Sequence, residues 1–365
     1  MNMRILLATG SFPPMKCGVG DYSQNLSDAL AADNRFRVGI LTSTIGAGRD
    51  KVENIEVFPV IKKWGLIETL KVIKIIRNWS PDIVHIQYPT QGYGKGLLPW
   101  ILPMIAFLMG KKVVQTWHEG YSLGSIFKLF LISIIPSVLV FVRPRYKECL
   151  HPMLFWALWG KNSVFIPNAS TIPGIVLDEQ IKNILKNKYL NNQKRLIVFF
   201  GFVYPSKGVE LLFEIADPAS DQIVIVGEIN NESEYSKKIM KHALVEPWLG
   251  KVTITGFLSI PDVAELLVVA DAVILPFRTG GGEWNTSIHG AVLNRTFVIT
   301  TSLTKRGYNN KYNIYFAKID NIQEMKLALN TYAGKRRVYD ADIDMDEWGK
   351  IAKQHFLLYE NFLSK

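Results

Sequence analysis

Cysteine is scarce: the 365 residues hold two, Cys17 and Cys149, far apart and in no ligand-like spacing. A disulfide scaffold and a zinc module are thereby excluded, and a reducing compartment fits. Long hydrophobic runs are missing as well. The uncharged stretches 96–110 and 129–142 are broken by Pro99, Pro103 and Pro136, and both fall short of the roughly 20 apolar residues a spanning helix needs. The N-terminus, MNMRILLATGSFPP, lacks the apolar core and small-residue cleavage site of a secretory signal. Zinc-finger, basic-zipper and RNA-recognition patterns are absent too, which argues against a nucleic-acid partner.

What is present is ordinary globular composition, 48% hydrophobic and 20% charged, over a length that suggests two domains. The charge is unevenly placed. Residues 1–168 carry 19 basic and 10 acidic side chains, a net of +9, whereas the remainder carries 23 and 22. Such an excess suits an anionic surface or phosphorylated ligands.

Short apolar runs alternate with helical patterns along the chain. Strands are expected at 4–8, 37–42, 55–59, 82–87, 112–116, 138–142 and 163–167, with helices at 20–32, 66–79, 97–109, 124–135 and 145–159. A polar stretch with Pro173 and Gly174 follows. The alternation then restarts at 195–201, 222–227, 251–256, 272–276 and 297–301, with helices from Gly208, Glu232, Pro261 and about Thr286. The expected fold class is α/β, two Rossmann-like doubly wound domains facing a cleft. The expected boundaries are 1–168 for an acceptor-side domain, 169–194 for a linker, 195–340 for a nucleotide-sugar domain, and 341–365 for a C-terminal helix capped by its acidic run and returning to the first domain. Ligands in such sheets bind beyond the carboxyl ends of the strands.

Four loops lie there. GSFPPMKCGVGDY (10–22) sets Gly18, Val19 and Gly20 at a helix start, where backbone amides approach a ligand. It lacks the third glycine of the dinucleotide fingerprint, and a plain turn and cap is the alternative. GFVYPSKG (201–208) sets Lys207 between Gly201 and the next helix, placed for a phosphate or else a solvated surface lysine. RTGGGEWNTSIH (278–289) combines Arg278, Gly281 and Gly282 with Asn285, Thr286 and Ser287 as an anion cradle. QTWHEG (115–120) places His118 and Glu119 just past a strand end.

In this order the pieces resemble the retaining glycosyltransferases of the GT-B fold, family 4. The resemblance rests on FPP-x-x-x-GVGDY, DIVHIQYP, TWHEG, VFIPNAS, FFGFVYPSKGVELL, ITGFLSIPDVAELLVVADAVILPFR and the Gly-rich loop before FVITT, nearly the whole length. It implies sugar transfer from a nucleotide-diphosphate sugar to a saccharide or lipid-linked acceptor, with retention and without metal or other cofactor. It also implies bacterial surface-polysaccharide synthesis at the cytoplasmic face of the plasma membrane. By resemblance Gly18, Val19 and Gly20 meet the donor diphosphate, His118 lies near the transferred sugar, Lys207 holds the phosphates, and Phe257 and Leu258 meet the nucleobase.

Three departures stand out. Cys17 occupies a common glycine position, and Phe202 stands where the family often has an arginine, for which Arg278 is a candidate substitute. The family's glutamate pair aligns with Gly282 and Gly290, one residue off Glu283, the candidate donor-sugar ligand. Two other assignments therefore stay open: a non-catalytic sugar-nucleotide-binding or assembly subunit, and a GT-B sugar-nucleotide epimerase.

The segment KKWGLIETLKVIKIIRNW (62–79) completes the sequence reading. On a helix Leu66, Leu70, Ile73 and Ile76 share one side and Lys71, Lys74 and Arg77 another, with Lys62, Lys63, Trp64 and Trp79 at the ends. That pattern fits peripheral attachment to an anionic membrane through basic residues and interfacial tryptophans. An amphipathic helix packed on its own sheet is the plainer alternative.

Overall fold

The computed structural model describes residues 3–47, 52–118, 126–144, 146, 150, 152, 154, 158, 161–229, 232–282, 284–340 and 346–364. The chain divides into two compact units, Met1–Ala169 with Asp346–Lys365, and Ser170–Met345. The segment expected as a linker thus folds with the second unit from Ser170 onward.

The first unit runs β1 (Met3–Ala8), α1 (Gly18–Ala31), β2 (Phe36–Ser43), β3 (Ile55–Ile61), α2 (Thr69–Trp79), β4 (Ile83–Tyr88), α3 (Leu98–Leu108), β5 (Lys112–Trp117), α4 (Ile126–Ile134), β6 (Val138–Phe141) and β7 (Ser163–Phe165). Its sheet is parallel in the order β3-β2-β1-β4-β5-β6-β7. β4 and all but the first residue of β5 are buried, as expected of strands covered on both faces. The strand order reverses between β1 and β4, so the loops after these strands flank the crevice where such sheets bind ligands. Those loops touch closely: a Cβ on Gly92 would lie 1.9 Å from the Gly10 carbonyl oxygen. The helix expected over 145–159 lies largely outside the described residues.

The second unit runs α5 (Glu179–Tyr189), β8 (Arg195–Phe200), α6 (Leu212–Ile215), β9 (Asp221–Val226), α7 (Glu234–Ala243), β10 (Val252–Gly256), α8 (Ile260–Val269), β11 (Ala272–Leu275), α9 (Thr286–Leu293), β12 (Val298–Thr301), β13 (Gly307–Asn309), β14 (Ile314–Ala317) and α10 (Ile322–Tyr332). The sheet order is β10-β9-β8-β11-β12-β14-β13, parallel except for β13, with reversal between β8 and β11. The helix expected from Gly208 is only a short 3-10 turn followed by α6. Residues 302–332, where no strand or helix was expected, add the β13–β14 pair and α10.

The chain ends in α11 (Glu347–Leu363), which returns to the first unit. Asp346 caps it by accepting from the Gly349 amide at 3.0 Å; 341–345 lie outside the described residues. Phe356 packs edge-on against Phe36 at 5.6 Å, and Trp348 against Tyr22 on α1 at 5.3 Å. Because residues 346–365 contribute three basic and three acidic side chains, the net charge of +9 stays in this unit.

Candidate active site

The second unit gathers its polar loops at the ends of the paired central strands β8 and β11. After β8, Gly201 has a φ of +135° and Gly208 of +65°, backbone angles that side chains disfavour. A Cβ on Gly208 would sit 2.4 Å from the Pro276 carbonyl oxygen, so only glycine lets this loop lie against the end of β11. The Arg278 amide donates to Ser206 O at 3.0 Å and locks the two loops together. Lys207 lies half-buried between them, its ammonium 4.6 Å from the Phe277 ring centroid.

Beyond Arg278 the chain turns at Gly280, where φ is +81°. Gly281 donates to Thr301 O at 2.7 Å, and a Cβ there would meet Thr300 Oγ1 at 2.5 Å. Asn285, the residue before α9, does not cap the helix; its Oδ1 accepts from the Gly282 amide at 2.9 Å. The amides of Thr286 and Ser287 consequently have no hydrogen-bond partner among the described residues. Amides opening a helix form a ready anion site. Glu283 lies outside the described residues, as does Glu119. Gly290 is buried, and a Cβ there would contact Ser170 Oγ at 3.1 Å and Ile172 Cβ at 3.2 Å. A glutamate at this position would need room that the 170–172 segment fills.

Arg278, the candidate substitute phosphate cation, is engaged in two ion pairs. Its guanidinium donates to Glu210 at 2.6 Å and to Asp320 at 2.6 Å. Burial works against the Glu210 carboxylate, but Arg278 and Tyr235 outweigh it and hold its pKa below the ordinary value. The arginine ties the β11 loop to the segment after β8. Arg278→Ala is expected to lower the melting temperature of this unit, corresponding to about 1–3 kcal/mol, since a nearly buried carboxylate loses its counter-ion. Adding Glu210→Gln should restore part of that loss. A single variant that melts like the wild type while losing donor affinity would return Arg278 to a phosphate-binding role.

Beside this polar set stand three aromatic side chains, of which sequence reasoning named Phe257 and Phe202 and overlooked Tyr204. Phe202 stacks on Tyr204 at 5.7 Å and meets Phe257 edge-on at 5.9 Å, at the ends of β8 and β10. Leu258 packs against the core beneath. The alternation of Phe202 and Tyr204 just past β8 was the available signal.

In the first unit, Gly18 and Val19 open α1, with open space around the Gly18 Cα, while a Cβ on Gly20 would press on the Ser11 carbonyl oxygen at 3.1 Å. His118 follows β5 and is buried. Its Nε2 lies 2.8 Å from Gln87 Oε1, its ring meets Tyr22 edge-on at 4.6 Å, and its amide donates to Tyr88 O at 2.7 Å. With Gln87 accepting, the proton sits on Nε2 and Nδ1 is left as an acceptor. Burial, followed by the charge of Arg143, pushes the His118 pKa down to about 3, so the imidazole is neutral at physiological pH. Asp21, one residue before Tyr22, has a carboxyl pushed up to about 6 by burial.

Among the described residues, two more buried imidazoles lie in this unit. His85 spans Tyr359 OH and Thr116 Oγ1 at 2.7 Å each, and His355 Nδ1 donates to Ile351 O at 2.9 Å. Burial lowers His85 well below its ordinary range and His355 to about 4. In the unfolded chain all three histidines take up protons near pH 6.5, which the folded chain resists until far lower pH. Their contribution to stability is therefore complete above that value and lost as pH falls below it. Asp21 works the other way between about pH 4 and 6 and offsets one of the three protons. The net, about two protons, costs roughly 3 kcal/mol per pH unit near pH 5. Denaturant midpoints at pH 7.5 and 5 should fall accordingly; equal midpoints would mean these imidazoles are hydrated in the native state.

The membrane-anchor reading of 62–79 needs correction at its tryptophans. Trp64 is buried against Tyr93 and donates to Ser43 Oγ at 2.9 Å, and Trp79 is buried against Phe58 and donates to Glu56 at 2.9 Å. Both serve the core. Residues 66–68 form a 3-10 turn ahead of α2, and Lys71 pairs with Glu68 at 2.7 Å. Lys62, Lys63, Lys74 and Arg77 are exposed.

Comparison with known proteins agrees with this architecture. Residues 194–332 match the family model of glycosyl transferases group 1. The comparison with curated proteins gives no match. Among solved structures the chain is similar to sucrose-phosphate synthase from Thermosynechococcus elongatus, with 16% identity over 99% of each chain and a TM-score of 0.71. It is also similar to HepE of Anabaena in complex with UDP and glucose, at 16% identity over 99% of this chain and 95% of that one, TM-score 0.66. A third is WaaG, a glycosyltransferase involved in lipopolysaccharide biosynthesis, at 13% identity over 98% of each chain, TM-score 0.61. The fold is that of the GT-B glycosyltransferases: two seven-stranded, parallel-dominated α/β units.

Proposed function

We propose that the protein is a glycosyltransferase of the retaining family 4 type, moving a hexose from a nucleotide-diphosphate sugar to a saccharide or lipid-linked acceptor. The observation that carries this reading is the convergence, on neighbouring strands β8 and β11, of Lys207, the Gly280–Gly282 turn and the two amides that open α9, which have no hydrogen-bond partner among the described residues. In the reaction the bond between the sugar C1 and the diphosphate oxygen breaks, and its electron pair leaves with the diphosphate. The acceptor hydroxyl oxygen bonds to C1 on the same face, and its proton passes to a phosphate oxygen of the leaving group. Charge that grows on the diphosphate is met by Lys207 and by the amides of Thr286 and Ser287; one such donor is typically worth about 3–4 kcal/mol. No metal ion is needed in this scheme. Phe202, Tyr204 and Phe257 supply an apolar wall suited to a nucleobase.

His118, as a neutral imidazole with Nε2 held by Gln87, offers Nδ1 as an acceptor to a sugar hydroxyl. The first unit is proposed to take the acceptor, and its net charge of +9 over residues 1–168 supports work at the anionic cytoplasmic face of the plasma membrane, in bacterial surface-polysaccharide synthesis. A thermal-shift panel of UDP, GDP, dTDP and ADP sugars tests donor binding, followed by nucleoside-diphosphate release in the presence of acceptor. Stabilisation by one donor class and acceptor-dependent release are expected. Binding without any release would leave a non-catalytic sugar-nucleotide-binding subunit as the better account.

A further inference from the structure

On α3 and α4, among the described residues, large apolar side chains stand exposed where water would be expected to select polar ones. On α3, Met104, Phe107 and Leu108 point outward with exposures of 43%, 44% and 74%, and Leu97 just before the helix is half exposed. On α4, Phe130 and Ile134, one turn apart, are exposed as well. The ridge continues toward α2. Leu98 donates to Trp64 O at 3.0 Å, which brings Leu97 beside the turn carrying Leu66 and Ile67, and Ile67 is 88% exposed. Trp100 links the other side, with the Lys128 ammonium of α4 5.5 Å from its ring. Isolated exposed leucines are ordinary, but so many exposed apolar side chains on the adjacent helices α3 and α4 and the turn before α2 mark a contact surface.

The charges around it are of one sign. Residues 62–112 hold eight basic side chains and two acidic ones, Glu68 and Asp82. Glu68 is buried and paired with Lys71, and Asp82 accepts from the Arg4 amide at 2.8 Å. Among the basic residues, Lys62, Lys63, Lys74, Arg77 and Lys95 are exposed. Protein interfaces deplete lysine, whereas an apolar face rimmed by lysines matches the boundary between anionic headgroups and acyl chains.

We infer that the α3–α4 face, with the Leu66–Leu70 turn, inserts its apolar side chains into an anionic bilayer surface. It rests on the membrane attachment proposed above and names the face that makes it. The basic residues bring the unit to the membrane through screened charge, and Ile67, Phe107 and Leu108 then hold it by apolar contact that salt does not weaken. Attachment of this kind keeps a fraction bound at high salt. The buried Trp64 and Trp79 take no part.

The test is flotation of the full chain with vesicles of equimolar phosphatidylcholine and phosphatidylglycerol, at low and at high salt. Wild-type protein should float at low salt and in part at high salt. F107S/L108S should lose most of the salt-resistant fraction, about tenfold, with unchanged melting and unchanged transfer to a water-soluble acceptor. K62E/K63E/K74E should lose binding at low salt. If F107S/L108S floats like wild type while the charge reversal releases the protein, attachment stands and the inserted face is wrong. If wild-type protein does not float at all, the attachment itself fails. A wild-type dimer in light scattering that F107S/L108S dissociates, without vesicle binding, would make the face a contact between copies and overturn the inference.

Discussion

Lys207→Ala is expected to cut glycosyl transfer by about a hundred- to a thousandfold while leaving the melting curve of the second unit unchanged. The loss corresponds to one preorganised donor facing developing diphosphate charge. It is large because an ammonium set between the loops after β8 and β11 has no nearby residue, among those described, that could take over its place once it is removed; the Arg278 guanidinium is held by Glu210 and Asp320. The fold should survive because Lys207 lies at the end of a three-residue 3-10 turn and contributes a ring contact to Phe277 rather than core packing. Lys207→Arg should recover only part of the activity, since a planar guanidinium does not reproduce a compact ammonium. Steady-state transfer rates and donor affinity measured together decide the matter. Unchanged transfer in Lys207→Ala would remove the lysine from phosphate binding and leave the α9 amides to carry that charge alone.

His118→Ala should lower turnover by roughly a hundredfold and leave nucleotide affinity within about twofold, taking one hydrogen-bonding partner of the sugar as the loss. The asymmetry follows from where the residues sit: His118 belongs to the first unit, whereas Lys207, the α9 amides and the aromatic wall belong to the second. A pH profile adds a separate readout. With its pKa pushed down to about 3, His118 stays neutral across the working range, so the rate should show no step near pH 6.5 that disappears in the variant. Gln87→Ala removes the partner that fixes Nε2 and should lower turnover less than His118→Ala does. Equal losses of nucleotide affinity and turnover in His118→Ala would make the histidine a structural support; a His118-dependent step near neutrality would mean that the imidazole exchanges protons during catalysis.

Much of the fold is written in local pattern. The strands of both central sheets are short apolar runs bounded by Gly, Pro or polar residues, and burial on both faces leaves little besides apolar side chains to choose from. Residues 302–332 escaped that reasoning. The strands β13 and β14 are three and four residues long; GYN is partly solvated, and IYFA, though mostly buried, is too short a run to carry a period that separates it from loop. The tryptophans of 62–79 misled for a related reason. Helical spacing shows which residues share a face, but Trp64 lies ahead of the helix, and its burial depends on Tyr93 and Ser43, distant in sequence.

The candidate site divides the same way. Glycine-rich turns and a helix opening with Asn, Thr and Ser are local signals, so Gly201, Gly281, Gly282, Thr286 and Ser287 could be singled out from sequence. Whether a charge is available is not local. Arg278 reads in sequence as a cation beside glycines, yet its guanidinium is matched by carboxylates 68 and 42 residues away. The same holds for His118, whose neutral state comes from enclosure by Tyr22 and Gln87 on other elements. The sequence by itself determined two doubly wound units, the loops that bear the chemistry and the imbalance of charge, because periodicity, backbone permissiveness and composition act within a few residues. Only the tertiary structure decided that Arg278 is held in ion pairs, that His118 is neutral and which apolar side chains remain outside, because desolvation and pairing are set by neighbours that the chain brings from far away.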